Sequence, residues 1–446
     1  MTEELKPLTP TQPDRAGFSP DLAPTFHTLS NGIRVALCPL PHLHSAGIGV
    51  YVRVGSRYES SRVLGVSHFL EHVLFRGNAR YATSLDMNRA FEAWGGAING
   101  YTTREFTYYF GKVHPDHLSD AIPFMGDFIH KPLFEGVDLE RNIILEERLE
   151  DVDEDGQDLE IDDVSRAAFW GEHPLGHKII GLPNTLRYVQ QKQLEEHFAQ
   201  FYTGEHLVIC VTGRFASESV LPMIEQAFSH LPAGAPFAIE PAPTEAAPSQ
   251  STAFVSHDSS QVQLQLSFLG VSPQDPMFPS LLLLERVLDD GMSSRLWQRI
   301  VEEEGLCYEV WAGLDTYHDT SVLDIGASVA PEKTLKLAEK IVHELKTLRD
   351  EGPTEEEFAL VKRRLRFSQE YALDQVEQLN ERLGASVLYD AYVPFETQRA
   401  QIEALTMDEF VESTKKILCT KRALFAAVGP LSKSVKRRLR EFARTF

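Results

Sequence analysis

The feature that most constrains this chain is a repeat of its own order of elements across two halves of similar length. The dividing stretch runs from Leu231 to Ser251, LPAGAPFAIEPAPTEAAPSQS. It is rich in Pro, Ala and Gly, carries no periodic apolar pattern and reads as a linker. The first half closes with a helical pattern, the strand-like LVICVTGRF (Leu207 to Phe215) and a second helix, SESVLPMIEQAFSHL. The second half closes in the same order with DEFVESTKKIL, ALFAAVGPL (Ala423 to Leu431) and a basic helix. Near their starts, HFLEHVL (His68 to Leu74) aligns without a gap on LLLERVL (Leu282 to Leu288). Each of these is preceded by a strand-like run, IGVYVRV (Ile48 to Val54) and VQLQLSF (Val262 to Phe268). The expected architecture is therefore α+β: two duplicated domains, each a mostly antiparallel sheet with helices on one face. The boundaries are 1–230 for the first domain, 231–251 for the linker and 252–446 for the second. Within the second, Thr354-Glu355-Glu356-Glu357 is a capping box that opens a helix through about Tyr371.

Composition narrows the function classes. The 446 residues are 43% hydrophobic, ample for buried cores. The formal charge of −22 argues against nucleic acid, whose binders need a basic face. It suits solubility first and a basic partner second. The basic tail SKSVKRRLREFARTF, with Val435, Leu439 and Phe442 at helical spacing, reads as an amphipathic helix packed on the body. No apolar run reaches the roughly 18 residues of a membrane span. The start, MTEELKPLTPTQPDRAGFSPDL, resembles neither a secretory signal nor a transit peptide, so a cytoplasmic protein is expected. Cys38, Cys210, Cys307 and Cys419 are far apart and form no CxxC pair, which fits a reducing compartment. Cys210, inside LVICVTG, reads as a buried strand residue. Any metal must then be held by His and carboxylate.

One constellation offers that. His68 and His72 stand at i and i+4 on a predicted helix, so both imidazoles face one side and can meet one ion. Glu71 lies beside His72 and one turn from His68, able to face an open coordination position as general base. The order H-x-x-E-H inverts the common H-E-x-x-H zinc motif. In the second half the matching residues are Leu282 and Arg286, while the glutamate persists as Glu285. The helix can thus be built without histidines, and one copy departs from it at the two positions a metal would use. A third ligand is needed for a catalytic zinc. The acidic helical segment Asp138 to Asp155 offers Glu140, Glu146, Glu147 and Glu150, and spacing does not choose among them.

The first half carries H-F-L-E-H-x-x-F-x-G (His68 to Gly77), G-G-x-x-N-x-x-T (Gly95 to Thr102), E-R-N-I-I-L-E-E (Glu140 to Glu147) and H-P-L-G-H (His173 to His177). M-S-S-R-L (Met292 to Leu296) and G-L-C-Y (Gly305 to Tyr308) follow in the second half. By these motifs, from about Leu29 to the C-terminus, the chain resembles the pitrilysin/insulinase zinc peptidases, in the half-length class that includes the mitochondrial processing peptidase subunits and bacterial relatives. The resemblance implies a LuxS/processing-peptidase-like metallopeptidase fold and one Zn2+ per chain. It implies Glu147 as third ligand, Glu140 as its outer support and Glu71 as base. It further implies an edge strand where a substrate peptide adds through its backbone, at Ala97, Asn99 and Gly100.

The chain departs from the family in one place. Active relatives carry an Arg and a Tyr seven residues apart in the second half; here Tyr308 is present but the Arg position is Val301. Arg299 sits roughly 200° away around a helix and does not substitute. Two arrangements follow: a heterodimer whose sister subunit supplies Arg and Tyr, or a homodimer with a different arrangement around the reacting oxygen. The competing class is a non-catalytic structural subunit, which the intact ligand set and base disfavour. The expected substrates are short unfolded peptides, basic ones in particular.

Overall fold

The computed structural model of the protein describes residues 24–243 and 248–444. The readings made for the polar N-terminal segment and for residues 244–247 of the linker lie outside the described residues. Among the described residues the strands form two sheets. The first contains β1 (Thr25–Thr28), β2 (Arg34–Pro39), β3 (Ala46–Val52), β4 (Ile98–Thr102), β5 (Thr107–Val113) and β6 (Leu207–Gly213), in the order β1-β2-β6-β3-β5-β4. The second contains β7 (Thr252–Ser256), β8 (Val262–Leu269), β9 (Val310–Thr316), β10 (Ser321–Val329) and β11 (Ala423–Gly429), in the order β7-β11-β8-β10-β9. Pairing is antiparallel except for β2 with β6 and β7 with β11, which occupy the same place in the two sheets. The repeat in the sequence is thus a repeat of topology, and the α+β architecture of two duplicated domains is present.

Local chemistry explains the elements that carry it. The capping box at Thr354 and Glu357 is formed, and its helix runs Glu355–Tyr371. β6 is buried along its whole length, Cys210 included. The last helix, Lys433–Ala443, turns Leu439 and Ala443 into the second core, with Val435 and Phe442 packed against it. The described part of the linker contains neither helix nor strand.

Each half keeps its own helices on one face of its sheet, but the opposite face is covered by a helix from the other half. The Ile161–Trp170 helix of the first half packs on β8 and β11. There Ser165 Oγ meets Ser267 Oγ at 2.9 Å, and Arg166, 1% exposed, donates to both oxygens of Asp324. In return, Val376–Leu388 packs on β3 and β6. Asn380 on that helix accepts from the Tyr108 hydroxyl at 3.0 Å and donates to the Cys210 carbonyl at 2.9 Å. Gly49 permits this approach, since a Cβ there would stand 2.2 Å from Asn380 Oδ1. The exchange buries all seven residues of β3, which explains why its sequence is apolar on both faces.

Candidate metal centre

The Val66–Leu74 helix faces two ways. Phe69, Leu70, Val73 and Leu74 are fully buried in the first core. His68, Glu71 and His72 line a cleft on the other side. The helix start is fixed by Gly65, at φ 90, and by Glu59, whose carboxylate accepts the Gly65 N–H at 2.6 Å and the Ser67 N–H at 2.7 Å. A carboxylate there satisfies helix donors that lack partners and complements the positive end of the helix dipole.

The opposite wall comes from the Val137–Glu147 helix. Of its glutamates, Glu147 turns into the cleft, with its carboxylate oxygens 3.7 Å from His68 Nε2 and 3.6 Å from His72 Nε2. Glu140, two turns earlier and 4% exposed, accepts a hydrogen bond from His72 Nδ1 at 3.0 Å and pairs with Arg76. That bond leaves His72 Nε2 with its lone pair toward Glu147. Glu71 accepts from the Thr102 hydroxyl at 2.8 Å, tying it to β4.

These residues fit a zinc ion. The ligand atoms of His68, His72 and Glu147 all lie within 4.8 Å of one another. The N···O separations are too long for hydrogen bonds. They are close to the about 3.3–3.5 Å expected between neighbouring ligands of a tetrahedral ion with bonds near 2.0–2.2 Å. Burial and the neighbouring His72 push the His68 imidazole down to about 3, keeping it neutral as a ligand must be. Burial raises Glu71 against the Thr102 hydrogen bond, and burial together with nearby carboxylates raises Glu147. For His72, burial works downward but the Glu140 hydrogen bond and the surrounding carboxylates outweigh it, and its pKa rises. Such a surplus of carboxylates is what a divalent cation relieves.

A second cluster, Glu105, His318 and Asp319, also has metal-like spacing. The Arg57 guanidinium fills it, 2.6 Å from Glu105 and 2.8 Å from Asp319 through either terminal nitrogen. It is an ion-pair junction between the halves.

The remaining sequence candidates are placed as follows. Among the described residues β4 is the outermost strand of its sheet, and one of its edges has no strand beside it. Gly100 lies on it and lines the metal cleft; Asn99 lies on it and Ala97 immediately before it, and neither lines the cleft. Tyr308 is 88% exposed and does not line the cleft of its own chain. Val301 packs against the second core, and Arg299 is taken by Glu303 at 2.7 Å. Sequence reasoning did not single out Thr102, Arg76, or Asp151 and Glu160 in the cleft wall. Thr102 closes the G-G-x-x-N-x-x-T motif, which was the available signal.

A family model described as Insulinase (Peptidase family M16) matches residues 34–181, and one described as Peptidase M16 inactive domain matches residues 188–365. The chain is 31% identical over 414 residues to an uncharacterized zinc protease of Mycobacterium tuberculosis, covering 92% of this chain and 94% of that one. It is 30% identical over 367 residues to an uncharacterized zinc protease of Bacillus subtilis, covering 81% and 87%. Its fold matches the crystal structure of a protease from Helicobacter pylori with a TM-score of 0.83 at 20% identity, over 92% of this chain and 99% of that one.

Proposed function

Because the chain belongs to the insulinase family of peptidases, family M16, we propose that it is a zinc-dependent endopeptidase holding one zinc per chain on His68, His72 and Glu147. The observation that carries this reading is the convergence of two imidazole nitrogens and a carboxylate, unbonded to one another, beside the Glu71 carboxylate in one cleft. Bound zinc supplies Lewis acidity there, acidifying a water and polarising the scissile carbonyl. Glu71 is the general base. Its Oε2 is held by Thr102, and its other oxygen takes the proton that water releases and passes it to the leaving amine. Glu140 holds the His72 ring in register.

The open edge of β4 receives the substrate as an added strand, with the backbone of Ala97, Asn99 and Gly100 supplying hydrogen bonds that make little demand on sequence. Asp151 and Glu160 in the cleft wall favour basic side chains. The domains of this reading are 1–230, carrying the metal, and 252–446, joined by the 231–251 linker. The four free cysteines support a reducing compartment such as the cytoplasm. No helix among the described residues is long and apolar enough to cross a membrane.

The exposure of Tyr308 favours a dimeric chamber in which it serves another chain's cleft. With Val301 in the arginine position, a related sister subunit is the favoured source of an Arg–Tyr pair, and a homodimer is the alternative. The test is cleavage of an unstructured basic peptide by the pure chain, with and without chelator and with and without its genomic neighbour. Chelator-sensitive cleavage supports the reading. Full cleavage in the presence of chelator overturns the zinc assignment, and full activity of pure Tyr308→Phe overturns any role for the second half's tyrosine.

A further inference from the structure

A cavity lined mainly by the second half, with Pro24, Cys38 and Phe106 of the first, lies beside the counterpart of the metal-site helix, although Glu285 and Arg286, the counterparts of Glu71 and His72, do not line it. The alignment of HFLEHVL on LLLERVL puts Leu282 in the place of His68. β4 and β9 are the equivalent edge strands; Thr102, ending β4, lines the metal cleft, and Thr316, ending β9, lines this cavity. Leu282 lines it as well. Its volume is about 950 Å³, within the range of ligand sites and far above ordinary packing voids.

The charge inside the cavity is uneven. Three acidic residues line it, and each is committed elsewhere. Asp275 accepts the Met277 N–H at 2.7 Å, Asp390 pairs with Arg34 at 2.7 Å, and Glu409 accepts the Thr406 N–H at 2.9 Å. Arg382 has no carboxylate within 4.0 Å among the described residues. Its guanidinium donates to the Gln398 side-chain oxygen and lies 4.1 Å from the centre of the Phe395 ring. Burial lowers its pKa to about 10, the behaviour of a cation that has lost water without gaining a counter-ion. A half-buried charge without a counter-ion has lost part of its hydration, and an anion beside it recovers part of that loss. The rest of the wall mixes polar side chains such as Gln398, Ser386 and Gln401 with a larger apolar part that includes Phe278, Leu282, Leu379 and Leu383.

We infer that this cavity binds a small amphipathic carboxylate of the fatty-acid class, its head on Arg382 and its apolar body against Leu282, Leu379 and Leu383. The site is separate from the proposed peptidase centre and stands or falls independently of it. A neutral apolar molecule would leave Arg382 unpaired, and a cationic one would be repelled by it.

Calorimetric titration of the full chain with decanoate tests this, with decan-1-ol as the neutral control of the same length. Decanoate is expected to saturate at one per chain with a Kd on the order of 1–100 μM. Decan-1-ol should bind at least ~10-fold more weakly. Arg382→Met, which keeps apolar bulk without charge, should lose affinity by at least ~10-fold for decanoate and not for decan-1-ol. Leu282→Trp, which puts an indole into the apolar part of the cavity, should weaken binding of both by at least ~10-fold. Absence of saturable decanoate binding up to ~1 mM, about −4.1 kcal/mol, overturns the proposal. Equal affinity for decanoate and decan-1-ol overturns it as well, and so does an Arg382→Met chain that binds decanoate as the parent does. If Arg382→Met does not fold, the decan-1-ol comparison and Leu282→Trp decide between the same outcomes.

Discussion

His72 has one ring nitrogen for each of two glutamates: Nδ1 donates to Glu140 at 3.0 Å, and Nε2 faces Glu147 at 3.6 Å. The two glutamates therefore predict different failures. Glu147→Ala removes a ligand and should abolish stoichiometric zinc. Glu140→Ala frees the ring and should weaken zinc by about 10–100-fold, measured by competition with a chromogenic chelator. Glu71→Gln keeps the ligands and the Thr102 bond but removes the base. It should retain zinc while lowering peptide hydrolysis by at least ~100-fold. Of this site, the sequence made His68, Glu71 and His72 legible because i, i+4 spacing is a local property of a helix. It left four glutamates open in Asp138 to Asp155, since the face of that helix that meets His72 is decided by tertiary packing. The choice of Glu147 came from family resemblance. Thr102 stayed invisible as a partner of Glu71 because 31 residues separate them.

At the scale of elements, the exchanged helices join the halves. Asn380, 2% exposed, serves the Tyr108 hydroxyl and the Cys210 carbonyl at once. Asn380→Ala removes one buried partner from each of those groups and should destabilise the protein by about 1–3 kcal/mol, read as a lowered urea midpoint. The strands and the repeat could be read from sequence because short apolar runs and turn residues signal themselves locally. The exchange could not. An amphipathic pattern says that Ile161–Trp170 and Val376–Leu388 each bury a face, but both sheets present similar apolar surfaces to receive it. β3, β6 and β11 gave a hint, each being largely apolar and buried on both faces.

For the molecule as a whole, the first core carries a buried histidine that resists protonation. Burial pushes His197 down to about 3, where its ring sits 3.0 Å from Ser67 Oγ. The unfolded chain takes up that proton near pH 6.5 and the folded chain does not until about 3. Its contribution is present above pH 6.5 and is lost as the pH falls from there toward 3, by up to about 1.4 kcal/mol per pH unit. His197→Gln, which keeps a partner for Ser67 without titrating, should reduce the dependence of the urea midpoint on pH over that window, leaving the share that His68 contributes. An unchanged slope would place the acid sensitivity elsewhere. The duplication gives two like halves, yet only the first has histidines at the cleft positions, with Leu282 and Arg286 in the second. The central claim is therefore a stoichiometry. Metal analysis of the purified full chain, beside His68→Ala and Glu147→Ala, should find one zinc per chain in the parent and none held by either variant. A parent without zinc, or variants that hold it as the parent does, would contradict the account.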